Sequence, residues 1–303
     1  EPQMNANNLR TKGYELVLGW RDSFKLAGST FSYGITGTFS DYTAEYTKCD
    51  NPTGLIGDPY VGKKYGEIWG YKVDGLFRND KEAAEYASRI DLSTVASGYY
   101  TATGAYGKGV RGGDIKYLDL NGDNIVNGGK GTLDDPGDRR VIGNSSPRYQ
   151  YGASLNFSWY GFDVSVFMQG IGRLDWYPGA DNLRFWGPYC RPYATFVPKN
   201  FMSQVWSEEN PDAYFPRARA YTSLNSNSGT AYYTNDRYLQ NLAYCRLKNL
   251  TIGYTIPRRL TSKVGIKECR IYFSGENLAT WSALKSDFLD PEQAAADSDK
   301  KAN

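Results

Sequence analysis

From Arg148 to Trp159 the chain alternates with a period of two. Tyr149, Tyr151, Ala153, Leu155, Phe157 and Trp159 fall on one parity; Arg148, Gln150, Gly152, Ser154, Asn156 and Ser158 fall on the other. A strand sends successive side chains to opposite faces, so this segment reads as a strand with one apolar and one polar face. After Tyr160-Gly161 the pattern restarts, with Phe162, Val164, Val166 and Met168 against Asp163, Ser165 and Gln169, and Phe167 as the one violation. The spacing predicts a hairpin of strands about 9–11 residues long, the length a tilted strand takes to cross a bilayer.

The same alternation predicts four further strands. Tyr14, Leu16, Leu18 and Trp20 form one apolar face, and Phe31, Tyr33, Ile35 and Phe39 form a second. Leu250, Ile252, Tyr254 and Ile256 form a third, and Ile271 with Phe273 opens a last strand ending near Asn277. The connections are unequal: 21–29, 160–161 and 257–269 are short, whereas 42–147 and 173–243 are long. Short and long alternate, as they do in an outer-membrane barrel with tight periplasmic turns and extended extracellular loops. A soluble sandwich has the same alternation within its strands but no reason to gather its short turns at one end. Trp20 and Trp159 are expected at strand ends beside those turns, where an interfacial girdle lies. Within the first long connection, 80–90 (DKEAAEYASRI) departs from the β rhythm and predicts a short amphipathic helix capped by Asn79 or Asp80.

Composition narrows the choice. The 303 residues carry 35 Lys+Arg and 33 Asp+Glu, a net charge of +2, so no field of one sign draws nucleic acid. There is no histidine, which removes Ser-His-Asp triads and His-ligated metals. The four cysteines (Cys49, Cys190, Cys245, Cys269) show no C-x-x-C spacing, although Cys190 and Cys245 are candidates to meet in the loop layer. Aromatic residues make up 15% of the chain and the mean hydropathy is −0.59. Such a chain is neither a helical membrane protein nor a helical bundle, but both numbers suit a β-barrel with polar loops. No secretory signal opens the sequence at Glu1.

Three motifs carry candidate chemistry. Asp119-Leu-Asn121-Gly-Asp123-Asn-Ile125 matches the first half of a calcium loop, with oxygens at positions 1, 3 and 5 and a backbone carbonyl at 7. Its sixth position is Asn124 and its twelfth is Lys130, so a later carboxylate has to close the sphere. Asp138 is favoured over Asp134 and Asp135, because Pro136-Gly137 can turn the chain back. The ion expected there is structural calcium, rigidifying an exposed loop. The run 107–112 is literally G-x-G-x-x-G but neither follows a strand nor opens a helix, so it reads as a loop. Between 174 and 196 the aromatics Trp176, Tyr177, Phe185, Trp186, Tyr189 and Tyr193 lie among Gly, Pro, Arg and Asp residues. Two readings are open for them, and both can hold: an exposed substrate-binding face for sugar or peptide, or packing of the loop's own small core or of a partner protein.

Several blocks together resemble a known family. They are Lys12-Gly-Tyr-Glu-Leu16, Gly70-Tyr-Lys-Val-Asp-Gly-Leu-Phe77, Gly113-Asp-Ile-Lys-Tyr-Leu-Asp-Leu-Asn-Gly-Asp123 and Asp138-Arg-Arg-Val-Ile-Gly143 with Ser146-Pro-Arg-Tyr149. Further on come Leu247-Lys-Asn-Leu-Thr-Ile-Gly-Tyr-Thr-Ile-Pro257, Arg270-Ile-Tyr-Phe-Ser-Gly-Glu-Asn277 and Asp290-Pro-Glu292. In this order they resemble the C-terminal part of a SusC/RagA-type TonB-dependent outer-membrane transporter of Bacteroidetes. The resemblance implies an all-β fold: the C-terminal segment of a large antiparallel transmembrane barrel of about 22 strands whose lumen holds a plug. Residues 1–303 would supply about six of those strands, 42–147 and 173–243 would be extracellular loops, and the plug and N-terminal strands lie outside this sequence. The final barrel strand is also expected to be missing, since the end at Ala302-Asn303 is polar and helix-like. It further implies TonB-dependent import of an oligosaccharide, or of a peptide, across the outer membrane of a Gram-negative bacterium. The partners implied are a SusD-like surface lipoprotein lid, the TonB-ExbB-ExbD complex and outer-membrane lipid. No enzyme activity is implied. The competing reading of the same strands is a secreted, soluble, β-rich glycan-binding protein.

Overall fold

The computed structural model describes residues 7–101, 109–180, 182–190, 197, 199–219, 230–286 and 289–294. In chain order its elements are β1 (Asn8–Leu26), β2 (Ser29–Lys48), β3 (Glu67–Tyr71), β4 (Val73–Leu76), α1 (Asp80–Ala87), α2 (Ser97–Thr101), β5 (Ile115–Tyr117) and β6 (Arg139–Asn144). Then come β7 (Arg148–Trp159), β8 (Phe162–Arg173), β9 (Asp175–Trp176), α3 (Leu183–Trp186), β10 (Gln240–Asn241), β11 (Tyr244–Thr255), α4 (Arg258–Thr261) and β12 (Arg270–Ser282). The six long strands form one antiparallel sheet in the order β1-β2-β7-β8-β11-β12. The sheet is open, with β1 and β12 as its edges. The remaining strands pair as β3 with β6, β4 with β5 and β9 with β10, all inside the long connections.

All six predicted strands are present, and most run longer than the alternation indicated. The first connection was expected over 21–29, yet only Ala27 and Gly28 lie outside the strands, at φ +48° and +84°. Tyr160 and Gly161 repeat this at +49° and +85°. Two successive left-handed residues match the twist of the flanking strands, which makes both connections two-residue turns. The polar run Asp22, Ser23 and Lys25 conceals the end of β1 because it interrupts the apolar parity. Trp20 is therefore inside its strand, opposite Ile35, and not at its end; Trp159 does end its strand, opposite Phe162. Strands β11 and β12 share an irregularity: the register shifts between Leu247 and Asn249, and Asn277 takes φ +52°. Such a bulge flips the side-chain parity, which is why the expected β12 stopped at Asn277 and β11 was read from Leu250. The predicted helix forms as α1. Asn79 caps it by accepting from the Glu82 N–H at 2.9 Å, while Glu82 accepts from the Arg78 N–H at 2.7 Å. It ends at Ala87, three residues early, where the Ser88 hydroxyl turns back onto the Glu85 carbonyl.

Directly opposite residues in an antiparallel sheet share a face, so the register fixes both surfaces. Trp20, Ile35, Leu155, Val166 and Leu250 form one cross-strand row, and Tyr33, Phe157, Val164, Ile252 and Phe273 form the next. Each row is apolar over five of the six strands, the first ending at Gly275 of β12 and the second at Asp22 of β1. None of the described residues covers this face: Leu18 is 64% exposed, Trp20 63% and Ile271 63%. The opposite face carries rows such as Asn156, Ser165, Thr251 and Ser274.

The buried core lies elsewhere. Phe77, Val95, Tyr99, Ile115, Tyr117, Trp186, Trp206, Phe215, Tyr238 and Leu242 belong to one cluster that draws no residue from the six long strands. The long connections fold together at the sheet end opposite the tight turns, and Leu289 and Ala294 of the C-terminal stretch join them. Sheet and loop core are separate units of stability. Truncating Trp186 to Ala is expected to cost the loop core about 3–5 kcal/mol while the strands still assemble. Hydrogen exchange should show faster exchange in β4, β5 and α3, with β7 and β8 unaffected.

Candidate functional site

Three groups of residues sit where the sheet meets the loops. At the top of β7, Arg148 grips Asp41 of β2 with two contacts, Nε to Oδ1 and Nη2 to Oδ2, both at 2.6 Å, and Asp41 is buried. Tyr149, at φ +57°, gives its N–H to the same carboxylate. One strand over, Arg173 at the end of β8 pairs with buried Asp175 at 2.9 Å, and Asp175 also accepts from the Asn144 N–H. On β11, Arg246 binds Asp290 (2.7 Å), Glu292 (2.6 Å) and Thr280, and Lys248 also reaches Glu292. The Asp290-Pro-Glu292 block is thus the clasp that ties residues 283–294 to the sheet. Bidentate arginine–carboxylate pairs of this kind fix geometry as well as adding energy.

Pairing of β2 with β7 ends at Ser40 and Gln150, while β2 itself continues to Lys48 alongside β1 and 62–65. The gap where they part is a cavity of about 440 Å³ lined by Tyr42, Tyr65, Glu67, Asn144, Arg148, Tyr149 and Arg173, among others. Arg148 and Arg173 are paired with Asp41 and Asp175, and the Glu67 carboxylate accepts from the Tyr60 hydroxyl and the Lys64 N–H. The cavity can hold a polar ligand, and it holds no paired acid and base arranged for catalysis.

The aromatic loop resolves into packing. Trp186 is fully buried, Phe185 and Tyr189 are buried, and Trp176 and Tyr177 are half-buried against the same core. Phe215 is the hub, with its ring 5.9 Å from Phe185, 6.4 Å from Trp186, 5.7 Å from Tyr189 and 6.2 Å from Tyr238. Phe185, Trp186 and Tyr189 thus pack the loop's own core, together with aliphatic residues of the long connections such as Leu92, Val95 and Ile115. Tyr193 lies outside the described residues. Asn235 organises the polar part, donating to the Tyr177 hydroxyl at 3.0 Å and to the Tyr233 carbonyl at 2.8 Å. Burial pushes the phenols of Tyr117 and Tyr177 well above their usual range, so both remain donors. Asp114 is buried beside Arg219 at 2.7 Å, and burial pushes its carboxyl up to about 7. Gly113 carries Trp206 directly against its α-carbon, which accounts for the glycine-rich stretch 109–113; 107 and 108 lie outside the described residues.

In the calcium-like turn, Asp138 does close the loop. It is fully buried and accepts N–H groups from Leu120 (2.7 Å), Asn121 (3.3 Å) and Asn127 (2.9 Å). Asp119 accepts from Gly122 and Asn124, Asn121 from Asp123, and Asp123 from Ile125. Asn124 adopts the left-handed φ, +65°, as the sixth position requires. These oxygens face backbone donors, and among the described residues no three acidic or thiol side chains gather to hold a metal ion. The turn is shaped by its own hydrogen bonds. Chelation with EDTA is expected to leave the thermal midpoint of the full-length protein unchanged; a calcium-dependent rise would restore the ion. Cys245 is a free thiol, so it is not bridged to Cys190.

Sequence reading missed Asp41, Arg148, Arg173, Asp175 and Arg246. The available signal was a charged residue at each place where strand alternation breaks near the loop end. It also missed Phe215, Tyr238 and Asn235, which follow no local period.

The fold is an open six-stranded antiparallel sheet with its long connections packed at one end, and known proteins share it. No protein-family model matches the chain. It is 26% identical over 294 residues, 96% of its length, to TonB-dependent receptor P26 of Formosa agariphila, and 23% identical over 301 residues to TonB-dependent receptor P3 of the same organism. These stretches are 25% and 26% of the relatives' lengths, so the chain spans about a quarter of the curated receptors it matches. Among solved structures, that of the RagAB peptide transporter superposes with a TM-score of 0.60 at 17% identity, over 95% of this chain and 27% of that one. The RagAB peptide importer in its "closed-closed" state gives 0.57. The chain is thus similar, along nearly its whole length, to a stretch of TonB-dependent receptors. The likeness to the RagAB transporter is one of fold, a large antiparallel sheet with long connections.

Proposed function

We propose that this chain is part of the wall and outer canopy of an outer-membrane receptor that imports a nutrient too large for porins. The observation that carries this reading is the pairing of a bare apolar sheet with a core made only of loop residues. Water would penalise the uncovered face at about 25 cal/mol per Å²; a bilayer would not. The dimensions agree. Tyr149 and Trp159 bracket β7 with aromatic side chains, and ten residues at about 3.3 Å each, tilted by about 40°, span about 25 Å, the height of a barrel's apolar band.

On this reading β1 and β12 pair with further strands to close the barrel, the polar face lines the lumen, and 42–147 and 173–243 face the cell exterior. The canopy and the cavity beside Arg148 form part of the chamber that holds the substrate, an oligosaccharide or a peptide. A SusD-like lipoprotein caps the chamber. TonB-ExbB-ExbD supplies energy through parts of the receptor beyond this chain. No bond in the substrate is made or broken.

The alternative of a secreted, soluble glycan-binding protein requires a second layer over the apolar face, and none of the described residues supplies one. Fractionation of the full-length protein tests the choice. The receptor reading predicts outer-membrane retention, a heat-dependent shift in gel migration, and loss of uptake of one oligosaccharide or peptide when the protein is deleted or the proton gradient is collapsed. A protein soluble without detergent contradicts it.

A further inference from the structure

The connection from β11 to β12 is unlike the other two at the same end of the sheet. Where those are two-residue turns, 256–269 folds into α4 followed by a 3-10 turn (Ser262–Val264) stopped by Gly265 at φ +75°. Buried Thr261 holds it in shape, its hydroxyl donating to the Arg258 carbonyl and its own carbonyl accepting from the Ile266 N–H. A segment built only to reverse the chain needs none of this.

Its surface is unusual in two respects. Leu260 is 50% exposed, Ile266 46% and Val264 72%, the last more than any other large apolar side chain among the described residues. Interleaved with them are Arg258, Arg259, Lys263 and Lys267, all exposed and none in an ion pair among the described residues; Glu268 is the only acid. Immediately above lies the last row of the sheet's apolar face, Phe162, Tyr254 and Ile271, with the Phe162 and Tyr254 rings 4.5 Å apart. Apolar surface continuous with the lipid-facing sheet, edged by unpaired cations, is the pattern of a segment lying in a membrane interface.

We propose that 257–267 is a membrane-surface foot that binds anionic phospholipid headgroups of the leaflet on the tight-turn side. Leu260, Val264 and Ile266 enter the boundary between headgroups and acyl chains, and Arg258, Arg259, Lys263 and Lys267 meet the phosphates. The foot fixes the height and tilt of the β11–β12 hairpin against the bilayer. The inference rests on the receptor reading.

The test uses the full-length receptor in vesicles of phosphatidylethanolamine with phosphatidylglycerol, carrying a nitroxide at Val264→Cys, with labelling read against the unsubstituted protein. The label is expected about 5 Å or more below the phosphates, open to oxygen and shielded from a water-soluble nickel chelate. Replacing the four cations by Gln should weaken phosphatidylglycerol binding roughly fivefold per charge removed, the factor matching ~1 kcal/mol per cation near an anionic surface. Arg258→Lys with Arg259→Lys should retain it. A label in water, a label hidden from both reagents by another part of the receptor, or an unchanged lipid preference would overturn the proposal. A second label at Ile252→Cys separates the two failures. Ile252 in lipid with Val264 outside it sinks the foot alone, whereas Ile252 outside lipid sinks the receptor reading.

Discussion

A six-stranded sheet with an uncovered apolar face constrains every other part of this chain. Once Leu16, Trp20, Ile35, Leu155, Val164 and Ile252 point outward with none of the described residues to meet them, the strands contribute nothing to the core cluster. The long connections then have to supply their own. They do so with aromatic side chains, because rings bury large areas at low entropic cost and a connection without long helices has little aliphatic surface to offer. Tyrosine serves particularly well, since its hydroxyl can satisfy loop carbonyls while its ring packs, as Tyr117, Tyr177 and Tyr189 do. The high aromatic content and the low mean hydropathy follow from the same division.

The sheet and the loop core have to be joined, and the joint is ionic. Arg148–Asp41, Arg173–Asp175 and Arg246 with Asp290 and Glu292 all sit at the level where pairing in the sheet gives way to loop structure. Each pair includes a buried partner. Removing one member would strand a charge, so the arrangement specifies position more than it adds stability. The positive φ of Tyr149 belongs to the same joint, turning its N–H towards Asp41 as β7 leaves the sheet. The cavity between Tyr42, Tyr65 and Tyr149 exists because β2 and β7 diverge at this joint.

Much of this was legible along the chain. Period-two alternation located all six long strands, because a face that meets a uniform environment must be apolar at every second residue. It failed wherever backbone geometry changed the parity: at the bulge shared by Lys248 and Asn277, and through the polar stretch Asp22–Lys25. Asp138 was legible as the residue that closes the 119–125 turn because Pro136-Gly137 constrains the path. Which atoms it would meet was not, since Asp, Asn and Gly at those spacings serve backbone donors and cations equally. The aromatic loop was ambiguous for a related reason: ring content says that surface is available, and only the path of the whole connection says whether it is buried. The short strand pairs β3–β6, β4–β5 and β9–β10 join residues far apart in sequence and left no local period.

The central claim is that the two faces of the long strands meet different solvents, and it can be tested on β7. In the full-length protein reconstituted in vesicles, single nitroxide or fluorescent labels at 151 to 157 would be exposed in turn to a lipid-borne quencher and a water-soluble one. The account predicts alternation: Tyr151, Ala153, Leu155 and Phe157 quenched from the lipid, and Gly152, Ser154 and Asn156 not. Odd positions protected from both quenchers, as in the core of a soluble sandwich, or no alternation at all, would contradict it.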